Sequence, residues 1–156
     1  MASRPMNLEF SGSPEIRATR AQVWRRLLDP YFIARSAPGV EAVEPLGPTR
    51  FRMTLGFGIA LLKLRMALDV EMFDIIDGRS ASMRASGNAP GSAVEMLSNV
   101  RVEDLAPGRV RLHWHAISSV SGVLAGVGAR FVEGFARKLT AQFWEDFAER
   151  VAREAA

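Results

Sequence analysis

From about Gly122 to Ala152, the apolar residues Val127, Phe131, Phe135, Leu139, Phe143, Phe147 and Val151 recur at every fourth position without a break. Leu124, Val132 and Trp144 widen the stripe. This spacing marks an amphipathic helix. A helix of about 30 residues spans roughly 45 Å, the width of a small domain. Its apolar face needs an equally long surface to lie against.

The segments before it supply that surface. Phe51, Met53, Leu55 and Phe57 alternate with Arg50, Arg52, Thr54 and Gly56. After Gly58, Leu62, Leu64, Met66, Leu68, Val70 and Met72 alternate with Lys63, Arg65, Ala67, Asp69 and Glu71. A period of two puts one set on each face of a strand. Asp77-Gly78 is a hairpin signal. Ser80–Gly87 and Val94–Leu105 read as further strands joined through Gly87–Gly91, and Pro107-Gly108 turns into a last one. There Val110, Leu112, Trp114 and Ala116 alternate with Arg109, Arg111, His113 and His115. Nearer the start, Met6–Arg17 reads as one strand and Val40–Leu46 as another.

Two short helices are expected between those strands. Thr19 followed three residues later by Gln22 is a capping box, and Val23, Trp24, Leu27 and Leu28 give one apolar face. Asp29-Pro30 ends that helix, because the residue before proline is pushed out of helical geometry. Tyr31–Ser36 reads as a second short turn of helix, stopped at Pro38-Gly39. With 156 residues, no repeat and no linker, the whole chain, 1–156, reads as one α+β domain.

Composition narrows the chemistry. The chain has no cysteine, which excludes disulfide frameworks, thiolate metal sites and a cysteine nucleophile, and fits a reducing cytoplasm. The formal net charge is +3, and the cations are arginines apart from Lys63 and Lys138. Along the C-terminal helix, basic and acidic residues are interspersed, which reads as a solvated face rather than a stripe that tracks phosphates. Met1–Phe10 lacks a signal-peptide pattern, and no run of about 20 apolar residues suggests a membrane span.

An antiparallel sheet covered by one long helix and two short ones leaves concave apolar space, which is where ligand sites form. Met53, Met66, Met72, Met83 and Met96 all fall in strands, and methionine adapts to varied apolar partners. The expected lining is Leu55, Phe57, Leu64, Met66, Leu68, Met83, Met96 and Trp114 from the sheet. Leu124, Val127, Phe131 and Phe135 would form the roof. Glycines 122, 126, 128 and 134 in the front half of the helix each cost up to about 1 kcal/mol relative to alanine. A close approach, a flexible entrance or a partner surface would offset that cost.

Phe10-Ser11-Gly12-Ser13, Ala21-Gln22-Val23-Trp24, Leu28-Asp29-Pro30 and Ala37-Pro38-Gly39-Val40 occur in the order found at the opening of the carbon monoxide dehydrogenase G-subunit family. Gly122-Val123-Leu124-Ala125-Gly126-Val127-Gly128, Phe135-Ala136-Arg137-Lys138-Leu139 and Gln142-Phe143-Trp144 resemble that family's last helix. The resemblance covers nearly the whole chain. It implies the START-like (SRPBCC) helix-grip fold: a seven-stranded antiparallel sheet wrapped around a long C-terminal helix, with two short helices after the first strand. It also implies a hydrophobic cavity for a lipid- or quinone-like ligand. A role beside a molybdenum-containing carbon monoxide dehydrogenase-type oxidoreductase follows, with peripheral contact at the inner membrane surface. The family's glycine-rich strand pair is replaced here by Ser92–Asn99, so ligand shape or partner contact is expected to differ.

Residues able to carry catalysis offer no convergent set. His113 and His115 share one strand face opposite Trp114, and two histidines fall short of the three or four ligands of a typical metal site. Ser118, Ser119 and Ser121 lack a nucleophile elbow, and Asn88–Gly91 lacks a phosphate-loop pattern. Glu95 at a cavity mouth is the one candidate acid or base. A non-catalytic binding protein with no cofactor or metal is the first expectation. A cyclase- or hydrolase-type enzyme on the same scaffold and a ligand-free assembly factor are the alternatives. The last predicts an exposed apolar patch around Trp24, Tyr31 and Phe32.

Overall fold

The computed structural model describes residues 5–59 and 61–156. Residues 1–4, Ala60 and the side chain of Leu62 lie outside the described residues, and with them the inward placement expected of Leu62. The chain runs β1 (Met6–Gly12), β2 (Glu15–Ile16), α1 (Arg20–Leu27), α2 (Pro30–Ser36), β3 (Val40–Gly47), β4 (Arg50–Ile59), β5 (Leu62–Ile76), β6 (Ser80–Ala89), β7 (Ser92–Ala106), β8 (Arg109–Gly122), α3 (Val123–Gly126) and α4 (Ala129–Ala155).

The sheet is antiparallel in the order β1-β8-β7-β6-β5-β4-β3, with the two-residue β2 also paired to β8. The first strand therefore differs from expectation. Met6–Arg17 is divided around Ser13-Pro14, and an eighth short strand joins the seven. Proline has no N–H to offer a ladder, which favours such a division. α4 touches β1 and β2 at one end of the sheet and β4 near the other, so the sheet curls around the helix.

Local chemistry sets the helix starts. The Thr19 side chain accepts from the Gln22 N–H while the Gln22 side chain accepts from the Thr19 N–H, which completes the capping box at the head of α1. Asp29 both follows α1 and caps α2, accepting from the N–H groups of Tyr31 and Phe32, with Pro30 in the first turn. These caps aim Val23, Leu27 and Phe32 into the main core, where they meet Leu112, Trp114, Phe147 and Val151. Phe32 and Phe147 meet edge-to-face at 5.5 Å, and Trp114 stacks on Trp144 at 5.7 Å.

The final helix is not continuous, which corrects the unbroken Gly122–Ala152 reading. β8 extends to Gly122 and α3 follows directly. The chain then breaks at Gly128, whose φ of +124° is open to glycine and strained for other residues. Gly122 has φ +82°, and a Cβ there would sit 2.0 Å from the Gly91 carbonyl oxygen. Two of the four glycines thus have a structural reason. Gly126 and Gly134 face open space, and nothing in the structure explains them.

The every-fourth-residue stripe also drifts. At 3.6 residues per turn, four residues overshoot a turn by about 40°. Counting back from the fully buried Phe147, Phe131 lies about 160° away, on the opposite side. Phe131 is 65% exposed, while its neighbour Val132 is buried, as are Trp144, Phe147 and Val151.

Candidate functional site

The expected lining residues divide among three apolar clusters instead of surrounding one chamber. Phe57, Leu64, Met66, Leu124, Val127 and Phe135 gather with Ile59, Val120 and Val132 at the α3–α4 end, where Phe57 stacks on Phe135 at 5.3 Å. Leu68 and Met83 pack beside Phe51, Met53, Val70 and Ala85. Trp114 belongs to the main core, and Met96 packs against both of these last two clusters. Leu55 is half-buried on β4 and joins none of the three clusters. Phe131 faces outward, so the helical roof is formed by Leu124, Val132 and Phe135 at one end and by Phe143 and Trp144 at the other.

A small, partly open apolar void lies where the main core meets the Phe51 cluster. Its volume is about 40 Å³. Leu27 and Ile33 border it from the short helices, Phe51, Met72, Met83, Ser98 and Val100 from the sheet, and Phe143 and Trp144 from α4. Ile33, Met72, Met83 and Phe143 are only half-buried, so the side chains that close this void also reach toward the surface. Ile33, Met72 and Phe143 are additions to the expected lining. The signal available for Met72 is its place in the same alternating run as Met66. For Phe143 it is the helical drift of the stripe.

The polar candidates lie on the other face of the sheet. His113 Nε2 is 3.0 Å from a Glu103 carboxylate oxygen, and its Nδ1 is 3.0 Å from the Ser13 hydroxyl. His115 pairs with Glu9 at 3.2 Å. The hydrogen bond with His113 holds the Glu103 carboxyl below the usual carboxylate range. Both histidines border a broad open groove of about 570 Å³ with Ser11, Ser82, Asn99 and Arg101. No group of three or more metal-ligating side chains occurs among the described residues. Glu95 is exposed and accepts from the Ser86 hydroxyl at 2.7 Å, so it stands on the outer face and not at a mouth of the interior. Trp24 and Phe32 are buried, which leaves Tyr31 and part of Leu28 as the exposed apolar groups of that region.

The sequence profile of the carbon monoxide dehydrogenase G-subunit (CoxG) family matches residues 12–152. The chain belongs to this family. No curated protein matches the chain in sequence. Among solved structures, a conserved protein from Geobacillus kaustophilus is similar with a TM-score of 0.85 at 22% identity, covering 97% of this chain and 98% of that one. A START superfamily protein from Mycobacterium smegmatis is similar with a TM-score of 0.68 at 12% identity, covering 93% and 97%. The Zhui aromatase/cyclase from Streptomyces sp. R1128 follows with a TM-score of 0.65 at 17% identity, covering 96% and 94%. At these identities the likeness establishes the START-like helix-grip fold. For this CoxG-family chain, the fold and the family together support a ligand-binding or accessory role. None of its helices, among the described residues, is long and apolar enough to cross a membrane.

Proposed function

We propose that the protein is a non-catalytic carrier that holds a lipid- or quinone-like molecule between the sheet and α4. It would serve a molybdenum-containing carbon monoxide dehydrogenase-type oxidoreductase, with transient contact at the inner membrane surface. The observation that carries the reading is the interior void closed by half-buried Met72, Met83 and Phe143. Methionines retract at low cost because three rotatable bonds let them refill space in other ways. The ionisable candidates His113, His115 and Glu95 all stand on the outer face, which favours a binding role over a cyclase- or hydrolase-type reaction in the interior.

The size of the void favours a second reading. About 40 Å³ is far below the roughly 300–1,000 Å³ of a formed ligand pocket. A closed core of this kind also fits an assembly factor that works through its surface alone. Native mass spectrometry of gently purified protein, followed by organic extraction, separates the two. A stoichiometric quinone or lipid supports the carrier. A clean apo mass, with no thermal shift on adding quinones or lipids, transfers the assignment to the assembly factor.

A further inference from the structure

The two ends of the sheet differ in charge. The strand registers bring the β4–β5 turn, the β6–β7 turn, the joint between β8 and α3 and the start of β1 to one end. There Ile59 pairs with Leu62, Ala89 with Ser92, Ser92 with Gly122 and Met6 with Val120. Across residues 56–64, 87–94 and 119–132 the only ionisable side chains are Lys63 and Arg130, both exposed. Lys138 adds an exposed cation within about 20° of Phe131 around α4. Glu133, the first carboxylate along α4, pairs with Arg137 at 2.6 Å. Leu61, Val123 and Phe131 are exposed at this end, Leu61 fully so. Each stands within two residues of a buried member of one apolar cluster, Ile59, Leu124 and Val132. The opposite end also exposes Leu46 and Ile76, but its turns carry charges of both signs. Arg50, Arg79 and Arg109 stand there with Asp77 and Asp104, and Asp104 pairs with Arg20 at 2.9 Å.

We propose that the α3 end is a docking face for an anionic lipid surface, entered by Leu61, Val123 and Phe131 and held by Lys63, Arg130 and Lys138. This rests on the membrane contact in the reading above and gives that contact a place on the molecule. Exposed apolar side chains that continue a buried cluster are costly in water, and transfer to an acyl layer removes the cost. Leu61, at the β4–β5 turn, projects wholly into solvent. A bilayer takes up a projecting side chain without a pocket shaped to fit it. The cations beside these side chains gain from the negative potential of an anionic leaflet. The three segments that form this end bring no carboxylate to oppose the approach. The same charge pattern disfavours a second copy of this chain as the occupant, because like charges would then face each other.

Flotation of the full chain with vesicles tests the face. Equimolar phosphatidylcholine and phosphatidylglycerol should bind the protein, phosphatidylcholine alone far less, and added salt should weaken the binding. Leu61→Ser and Phe131→Ser should each weaken it about tenfold. Lys63→Gln and Arg130→Gln should each weaken it about fivefold. Arg50→Gln and Arg79→Gln make the same charge change at the opposite end and should stay within about twofold of the parent, being more than a Debye length from the lipid. All six side chains are exposed, so the variants should fold as the parent does. Equal losses from the two ends would overturn the docking face and leave the membrane contact standing as unoriented attraction. No binding to either vesicle would overturn the face and the membrane contact together, while the interior carrier reading is decided separately by organic extraction. A dimer in sedimentation analysis that Leu61→Ser dissolves, without vesicle binding, would make the face an interface between copies and overturn the lipid assignment.

Discussion

At the residue scale, the phase of α4 decides which aromatic side chains matter. Phe147 is fully buried against Phe32, Phe143 and Trp144, whereas Phe131 is mostly exposed. Phe147→Ala should destabilise the protein by about 3–5 kcal/mol, as large-to-small core changes do. Phe131→Ala should stay within about 0.5 kcal/mol. Urea unfolding of the two variants checks both, and equal losses would show that the stripe does not drift as described. Ionisation can be read at the same scale. Arg52 donates to Asp69 across β4 and β5 at 2.6 Å and holds that carboxyl below the usual range, mainly through the hydrogen bond. Because the folded pKa is depressed, the stabilisation is present above the unfolded value of about 4 and is lost as pH falls through the folded one. Arg52→Gln should move the Asp69 titration upward by NMR. Both side chains are close to half exposed, so little stability should change with it.

At the element scale, α3 and α4 behave as two pieces joined at a glycine. Gly128→Ala places a side chain at φ +124°, where strain of about 1–3 kcal/mol is expected. Gly134→Ala sits within α4 with open space around its would-be Cβ, so it should stabilise by about 0.5–1 kcal/mol. Opposite signs in calorimetry would confirm the break, and a stabilising Gly128→Ala would argue for a continuous helix. At the other end, Thr19→Ala removes the capping box of α1 and should cost about 0.5–2 kcal/mol. The elements themselves were largely legible in the sequence. The alternation through Phe51–Phe57 and Leu64–Met72 marks inward and outward faces as the structure has them, because a strand's period leaves no freedom once one face is buried. The helix break was not legible, since a glycine inside a helical pattern looks the same whether it is tolerated or kinked.

At the scale of the whole molecule, β8 is the strand on which the rest depends. It pairs with β1 and β2 on one side and β7 on the other, and its inward residues Val110, Leu112 and Trp114 enter the main core. Hydrogen exchange should therefore find the slowest amides in β8 and β7. Faster exchange should occur in α3 and in the edge strand β3, most of whose side chains are exposed. Slow exchange spread evenly through α3 would contradict a loosely held joint at the CoxG-family helix.

What the sequence determined by itself was the class of fold and its order. Periodicity, capping residues and turn dipeptides are local properties, and each acts over a few residues whatever the rest of the chain does. Only the tertiary structure decided how large the interior space is and which side chains face it. Leu55, Phe57, Leu64 and Met83 read alike as apolar strand positions, yet only Met83 reaches the void, because that depends on how far the sheet curls and where α4 crosses it.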